Sequence, residues 1–128
     1  MSEINRYLRA ETSQDLSAAG GTVLNYTTSF ACNYQLMQIC FKASTTITET
    51  INTYFVSRKA GTYTTLLDTT SLSSASNYVF RPSGNCIFMD GDEIQITCTA
   101  ANHNGTVYAT IIAEPYGRQQ TTQTGTGL

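Results

Sequence analysis

Charge is scarce in this sequence. Asp, Glu, Lys and Arg together make up 12% of it, about half the roughly 25% of an average soluble domain. That excludes a coiled coil and a disordered acidic or basic chain, both of which depend on a high charge content. The basic residues are scattered as Arg6, Arg9, Lys42, Arg58, Lys59, Arg81 and Arg118, adjacent only at Arg58-Lys59. Nucleic-acid affinity comes from clustered neutralisation of phosphates, so no nucleic-acid partner is expected. No apolar run nears the ~20 residues that a spanning helix needs, and no membrane association is expected. The opening residues, Met1-Ser2-Glu3-Ile4-Asn5-Arg6, lack the apolar stretch of a secretory signal, so synthesis in a cytoplasm is expected.

The residues that carry chemistry are equally sparse. Cys32, Cys40, Cys86 and Cys98 contain no CxxC pair, so no zinc site is expected. A domain of 128 residues made in a cytoplasm has no need of disulfides, and buried or half-buried thiols are expected instead. The single histidine, His103, precedes a turn and reads as a solvated loop residue. None of G-x-S-x-G, H-E-x-x-H, the P-loop or G-x-G-x-x-G occurs. The one acidic cluster, Asp90, Asp92 and Glu93, departs from the EF-hand pattern after its second acidic position. It reads as a tight turn feeding a strand. No catalytic residue, cofactor or metal is expected, and an enzyme is disfavoured because no convergent constellation is present.

Thr and Ser fill the space that charge leaves, and Tyr reaches 8 with no Trp. Thr is β-branched and fits a pleated surface better than a helix. Period-2 alternation follows. Leu24, Tyr26, Thr28 and Phe30 share a face within residues 22–30. In residues 34–42, Met37, Ile39 and Phe41, with Ala43 after them, face one side. Cys32, Tyr34, Leu36, Gln38 and Cys40 face the other if the strand is unbroken. Residues 46–59 form a long run with Ile47, Ile51 and Phe55 in phase, followed by short strands over 63–67, 77–81 and 86–89. Residues 68–76 read as a Ser/Thr loop anchored by Leu72. Residues 93–100 place Ile94, Ile96, Cys98 and Ala100 inward, and residues 106–114 place Val107, Ala109, Ile111 and Ala113 inward. Asn104-Gly105 between them is the strongest two-residue hairpin signal in the chain.

About eight strands with turn signals at roughly 8–12-residue intervals predict an all-β chain folded as one antiparallel β-sandwich, jelly-roll-like in pattern. Residues 1–21 read as an N-terminal arm, 22–117 as the sandwich and 118–128 as a polar C-terminal tail. Tyr34, Tyr54 and Tyr108, with Leu36, Val56 and Ile112, stand opposite the core-facing phases of their strands. An outer face of that kind predicts subunit contact, because interfaces are enriched in Tyr. Ile4, Tyr7, Leu8 and Leu16 give the arm apolar groups with which to dock on a neighbour.

The C-terminal half, Met89-Asp90-Gly91-Asp92-Glu93-Ile94-Gln95-Ile96-Thr97 followed by Asn104-Gly105-Thr106-Val107-Tyr108-Ala109-Thr110-Ile111-Ile112-Ala113-Glu114-Pro115, resembles the closing hairpin of small jelly-roll virion proteins of tailed bacteriophages. Capsid decoration (cement) proteins and neck or tail accessory proteins are examples. It is also similar to the trimeric tumour-necrosis-factor-like jelly roll, which often has a Gly-Asp pair leading into its penultimate strand. The likeness covers residues 22–116 in strand pattern, and only Gly91-Asp92 and the last strand are motif-like. The cysteine content and the lack of receptor-type loops depart from it. The resemblance implies a non-enzymatic capsid decoration protein, made in a host cytoplasm and located in the virion. Its partners would be its own copies, as a trimer, and the major capsid or other virion proteins. The alternative is a host-recognition or carbohydrate-binding module on a phage fibre or neck.

Overall fold

Alternation of apolar and polar residues over most of the chain produces strands and almost nothing else. The computed structural model describes residues 7–16, 23–73, 75–98 and 105–117. Nine strands occupy these: β1 (Leu8–Asp15), β2 (Leu24–Thr28), β3 (Tyr34–Ala43), β4 (Ile47–Val56), β5 (Thr65–Leu72), β6 (Asn77–Phe80), β7 (Ile87–Phe88), β8 (Glu93–Cys98) and β9 (Thr106–Pro115). One 3-10 turn, Gly61–Tyr63, is the only helical element among the described residues. The first sheet has the order β1-β9-β3-β6, with β7 also pairing with β3; the second has the order β2-β8-β4-β5. All pairings are antiparallel. Consecutive strands lie in different sheets except β4–β5, which pair directly, and β6–β7, which lie along the same side of β3.

The inner faces of the two sheets make one core. Ile39, Phe41, Phe88, Val107, Ile111 and Ala113 from the first sheet meet Leu24, Ile47, Ile51, Leu72, Ile94 and Ile96 from the second. Each is at most 3% exposed. The inward phases expected for residues 24–30, 46–59, 93–98 and 106–114 all match this burial, and Leu72 is buried as an anchor. Ala100 and His103 lie outside the described residues.

Four expectations need correction. First, residues 8–15 are not an arm: they are β1, paired with β9 along their whole length, and Leu16 is 1% exposed in the core. The alternation Leu8, Ala10, Thr12, Gln14, Leu16 was hidden because its middle inward positions are small or polar. Second, β5 runs on to Leu72 through the stretch read as a loop. Third, residues 93–98 and 106–115 form no hairpin. β8 is occupied on both sides by β2 and β4, and β9 by β1 and β3, so the chain crosses between sheets there. Gly105 is still required: its φ is +120°, and a Cβ would lie 2.6 Å from Thr45 Cγ2.

The fourth correction concerns β3. Leu36 stands opposite Ala113, but Gln38 stands opposite Ile112, so Met37 is an extra residue in a β-bulge. A one-residue insertion reverses the facing of everything on one side of it. Tyr34 and Leu36 therefore point inward together with Ile39, Phe41 and Ala43, and Tyr34 is 0% and Leu36 2% exposed. Tyr34 stacks on Phe88 with ring centroids 5.0 Å apart and meets Phe30 edge-on at 4.9 Å.

The turn Asp90-Gly91-Asp92 fastens the two sheets at one end. Gly91 adopts φ +104°. Asp92 is 5% exposed, and both carboxylate oxygens accept main-chain N–H groups, Oδ1 from Arg58 at 2.8 Å and Oδ2 from Met89 at 2.9 Å. The Tyr34 hydroxyl donates to the Asp92 carbonyl at 3.2 Å, and Arg58 Nη1 donates to the Asp90 carbonyl at 2.7 Å. The acidic cluster thus works as a structural clasp between the end of β4 and the β7–β8 turn.

Candidate interaction surface

Residues on the outward phase of the first sheet come together across its strands. The register aligns Arg9 with Ile112 and Gln38; Glu11 with Thr110, Cys40 and Val79; and Ser13 with Tyr108, Lys42 and Asn77. Tyr7, just before β1, is 58% exposed, Tyr108 is 45% and Val79 is 39%. Met37, turned outward by the bulge, joins Tyr7, Leu8, Arg9, Gln38 and Ile112 around a shallow groove of ≈ 560 Å³. Ile87 adds an apolar group on the same side of β3, opposite Gln35. The charges on this face are few and partly matched. Arg9 Nη1 lies 3.9 Å from Glu11 Oε2, and the Thr110 hydroxyl donates to that carboxylate at 3.3 Å.

The outer face of the second sheet has a different chemistry. Asn25, Thr27, Asn52, Thr69, Gln95 and Thr97 occupy its outward positions, and Gln95 Nε2 donates to Asn25 Oδ1 at 3.0 Å. Apolar groups gather at one end, where Tyr54, Val56 and Leu66 stand, while Val23, just before β2 at the other end, is 47% exposed.

The residues read from the sequence as an interface are therefore dispersed. Tyr7, Tyr108 and Ile112 stand on the outer face of the first sheet, and Leu8 lines its groove while packing partly on the core. Tyr54 is on the opposite sheet. Leu16, Tyr34 and Leu36 are withdrawn from the set, since all three are buried in the core. Ile4 lies outside the described residues, as do residues 118–128. Sequence reasoning missed Met37, Val79 and Ile87. Val79 and Ile87 were legible as the outward alternates of β6 and β7, whereas Met37 depended on a bulge that no local signal announces.

The thiols sort by face. Cys98 is 1% exposed, and burial together with the nearby Glu49 carboxylate pushes its thiol up to about 11. Burial also raises the Cys86 thiol. Cys32, Cys40 and Cys86 are half-buried, and none of the four cysteines forms a disulfide. Cys40 is on the outer face of the first sheet and accepts a hydrogen bond from Gln38 Nε2 at 3.3 Å. Among the described residues, no group of three or more His, Cys, Asp or Glu side chains gathers as metal ligands. Nor is any helix among them long and apolar enough to cross a membrane.

The class defined by these observations is an antiparallel two-sheet β-sandwich whose outer faces differ in polarity. No family model matches the chain, and no curated protein matches it. Among solved structures, a chain from the structure of infectious bursal disease virus Gx strain is similar over 90% of this chain and 33% of that one, with 9% identity and a TM-score of 0.31. The present sequence spans about a third of the length of that chain.

Proposed function

We propose that this protein is a non-enzymatic virion structural protein of a tailed phage, a jelly-roll decoration protein that stabilises a shell by binding across neighbouring subunits. The strand orders β1-β9-β3-β6 and β2-β8-β4-β5, with the chain passing repeatedly between sheets, support the jelly-roll reading. One observation carries the functional reading: the outer face of the first sheet presents Tyr7, Met37, Val79, Ile87, Tyr108 and Ile112 while the second sheet's face is mostly Thr, Asn and Gln. A protein that only has to stay soluble gains nothing from so many tyrosines and aliphatics on one face, and exposed apolar groups rimmed by polar ones mark an interaction site. Attachment by this face would bury its tyrosines and aliphatics against the shell and leave the polar sheet toward solvent. The host-recognition alternative would use the polar face instead.

Ile112→Asp and Tyr108→Asp, introduced together, test the assignment. The variant folds with an unchanged denaturation midpoint, because both side chains lie outside the core, and it no longer associates with particles. Normal decoration by the folded variant overturns the assignment of the face.

A further inference from the structure

The two sheets part along one side of the sandwich, where β5 of the second sheet faces β6 of the first. A hydrogen bond ties them there, from the Tyr78 hydroxyl to Asp68 Oδ1 at 3.3 Å. Beside this tie β5 carries one residue too many. Tyr54 stands opposite Leu66 and Thr53 opposite Asp68, so Leu67 is an extra residue in a β-bulge. Bulges re-aim side chains. Leu66 is 51% exposed, whereas Leu67 packs partly on the core and lines a cleft of ≈ 320 Å³ between β5 and the connection from β6 to β7, residues 81–86.

The cleft has an apolar floor and a donor-rich rim. Leu67, Phe80 and Cys86 line it and also pack against the buried core, so apolar surface is reached from solvent here. The Cys86 thiol is neutral, since burial raises it. On the rim stand Arg81, Ser83 and Asn85. The Arg81 guanidinium and the Ser83 hydroxyl have no hydrogen-bond or ion-pair partner among the described residues. Asn85 Oδ1 accepts from Gln35 Nε2 at 3.2 Å, which leaves the Asn85 amide N–H groups to donate elsewhere. Among the described residues no carboxylate lines the cleft; Asp68, next to Leu67, is held by Tyr78 instead. The rim thus offers one unpaired positive charge and several donors, with no negative charge to match them. A guanidinium beside apolar surface is complementary to a carboxylate carried on an apolar body. Ligand sites run to roughly 300–1,000 Å³, so a cleft of this size takes a short one.

We propose that this cleft binds a small amphipathic carboxylate, with its charged head on Arg81, Ser83 and Asn85 and its apolar body against Leu67, Phe80 and Cys86. The site lies where the sheets part rather than on the outer face of either, so it stands independently of attachment to a particle.

Amide NMR of the isotope-labelled full chain, titrated with hexanoate, tests it. Saturable shifts are expected at residue 67 and at residues 80–86. Hexanol keeps the body without the charge and binds about tenfold more weakly or worse, because the charged hydrogen bonds are lost. Acetate keeps the charge without the body and is weaker by a similar factor, because the apolar burial is lost. Arg81→Gln weakens hexanoate binding about tenfold or more; Arg81 is exposed, so the variant keeps the fold and the rest of the spectrum. No saturable shifts, or shifts centred elsewhere, overturn the proposal. So does hexanol or acetate binding as tightly as hexanoate, or binding indifferent to Arg81→Gln.

Discussion

Two deletions in β3 test how this sequence sets its core. Met37 is the extra residue of the strand, lodged between Leu36 opposite Ala113 and Gln38 opposite Ile112. Ala113 and Ile112 are adjacent on β9, so deleting Met37 closes the bulge and leaves every other residue of β3 opposite its present partner. Tyr34 and Leu36, 0% and 2% exposed, stay in the core, and only a side chain on the outer groove is lost, so the deletion costs about 1 kcal/mol or less. Deleting Cys40 removes the same number of atoms from the backbone but not the extra residue. With Leu36 and Phe41 held opposite Ala113 and Ala109, Ile39 moves opposite Thr110 on the outer face and Gln38 moves opposite Ile111 in the core. Losing a buried large apolar side chain costs about 1.5–3 kcal/mol, to which the space it leaves adds. An amide driven inward without partners costs about 1–3 kcal/mol more. The sum, about 3–6 kcal/mol, is a large share of the roughly 5–15 kcal/mol that holds a whole domain folded. Urea denaturation followed by tyrosine fluorescence compares the two variants. A Met37 deletion as damaging as the Cys40 deletion would refute Met37 as the residue that the ladder can spare.

Other consequences are equally concrete. Asp92→Ala removes the acceptor of two main-chain N–H groups and should cost about 2–4 kcal/mol in urea denaturation; a loss under about 1 kcal/mol would show that the clasp is not structural. Removing residues 1–16 strips an edge strand and Leu16 from the core, so the isolated domain should lose its cooperative transition; an unchanged melting temperature would mean that the segment is a dispensable arm after all. The Cys98 thiol is raised by burial from 9.0 to about 11, so the folded state holds a proton that the unfolded chain has begun to release. Its contribution to stability is complete below pH 9 and fades as pH rises from 9 toward 11, with Tyr34 acting in the same sense at higher pH. Cys98→Ala should flatten that alkaline decline, and native alkylation should reach Cys32 and Cys40 before Cys98; a decline unchanged in the variant would refute the assignment.

Much of the architecture was legible because alternation was clean. β8 and β9 were readable residue by residue, since Ile94, Ile96 and Cys98, then Val107, Ala109, Ile111 and Ala113, recur at period 2. β1 was not, because Ala10, Thr12 and Gln14 fill inward positions at the rim of the sandwich, where small and polar groups are tolerated. The missing hairpin shows the reach of a local signal. Asn104-Gly105 specifies a reversal, whereas the partners of β8 and β9 are chosen by strands distant in sequence. The interface set failed where it leaned on an unbroken β3. Once the bulge is admitted, Tyr34 and Leu36 move to the core and Met37 moves out to join Tyr7 and Ile112, so one irregularity accounts for errors at three positions.

Quantitative mass spectrometry of virions purified from cells that make this protein tests the central claim most directly. A decoration protein attached by the outer face of its first sheet is present in hundreds of copies per particle, in fixed ratio to the major shell protein. A handful of copies per particle, as a host-recognition module on a fibre or neck would show, or none at all, contradicts the account.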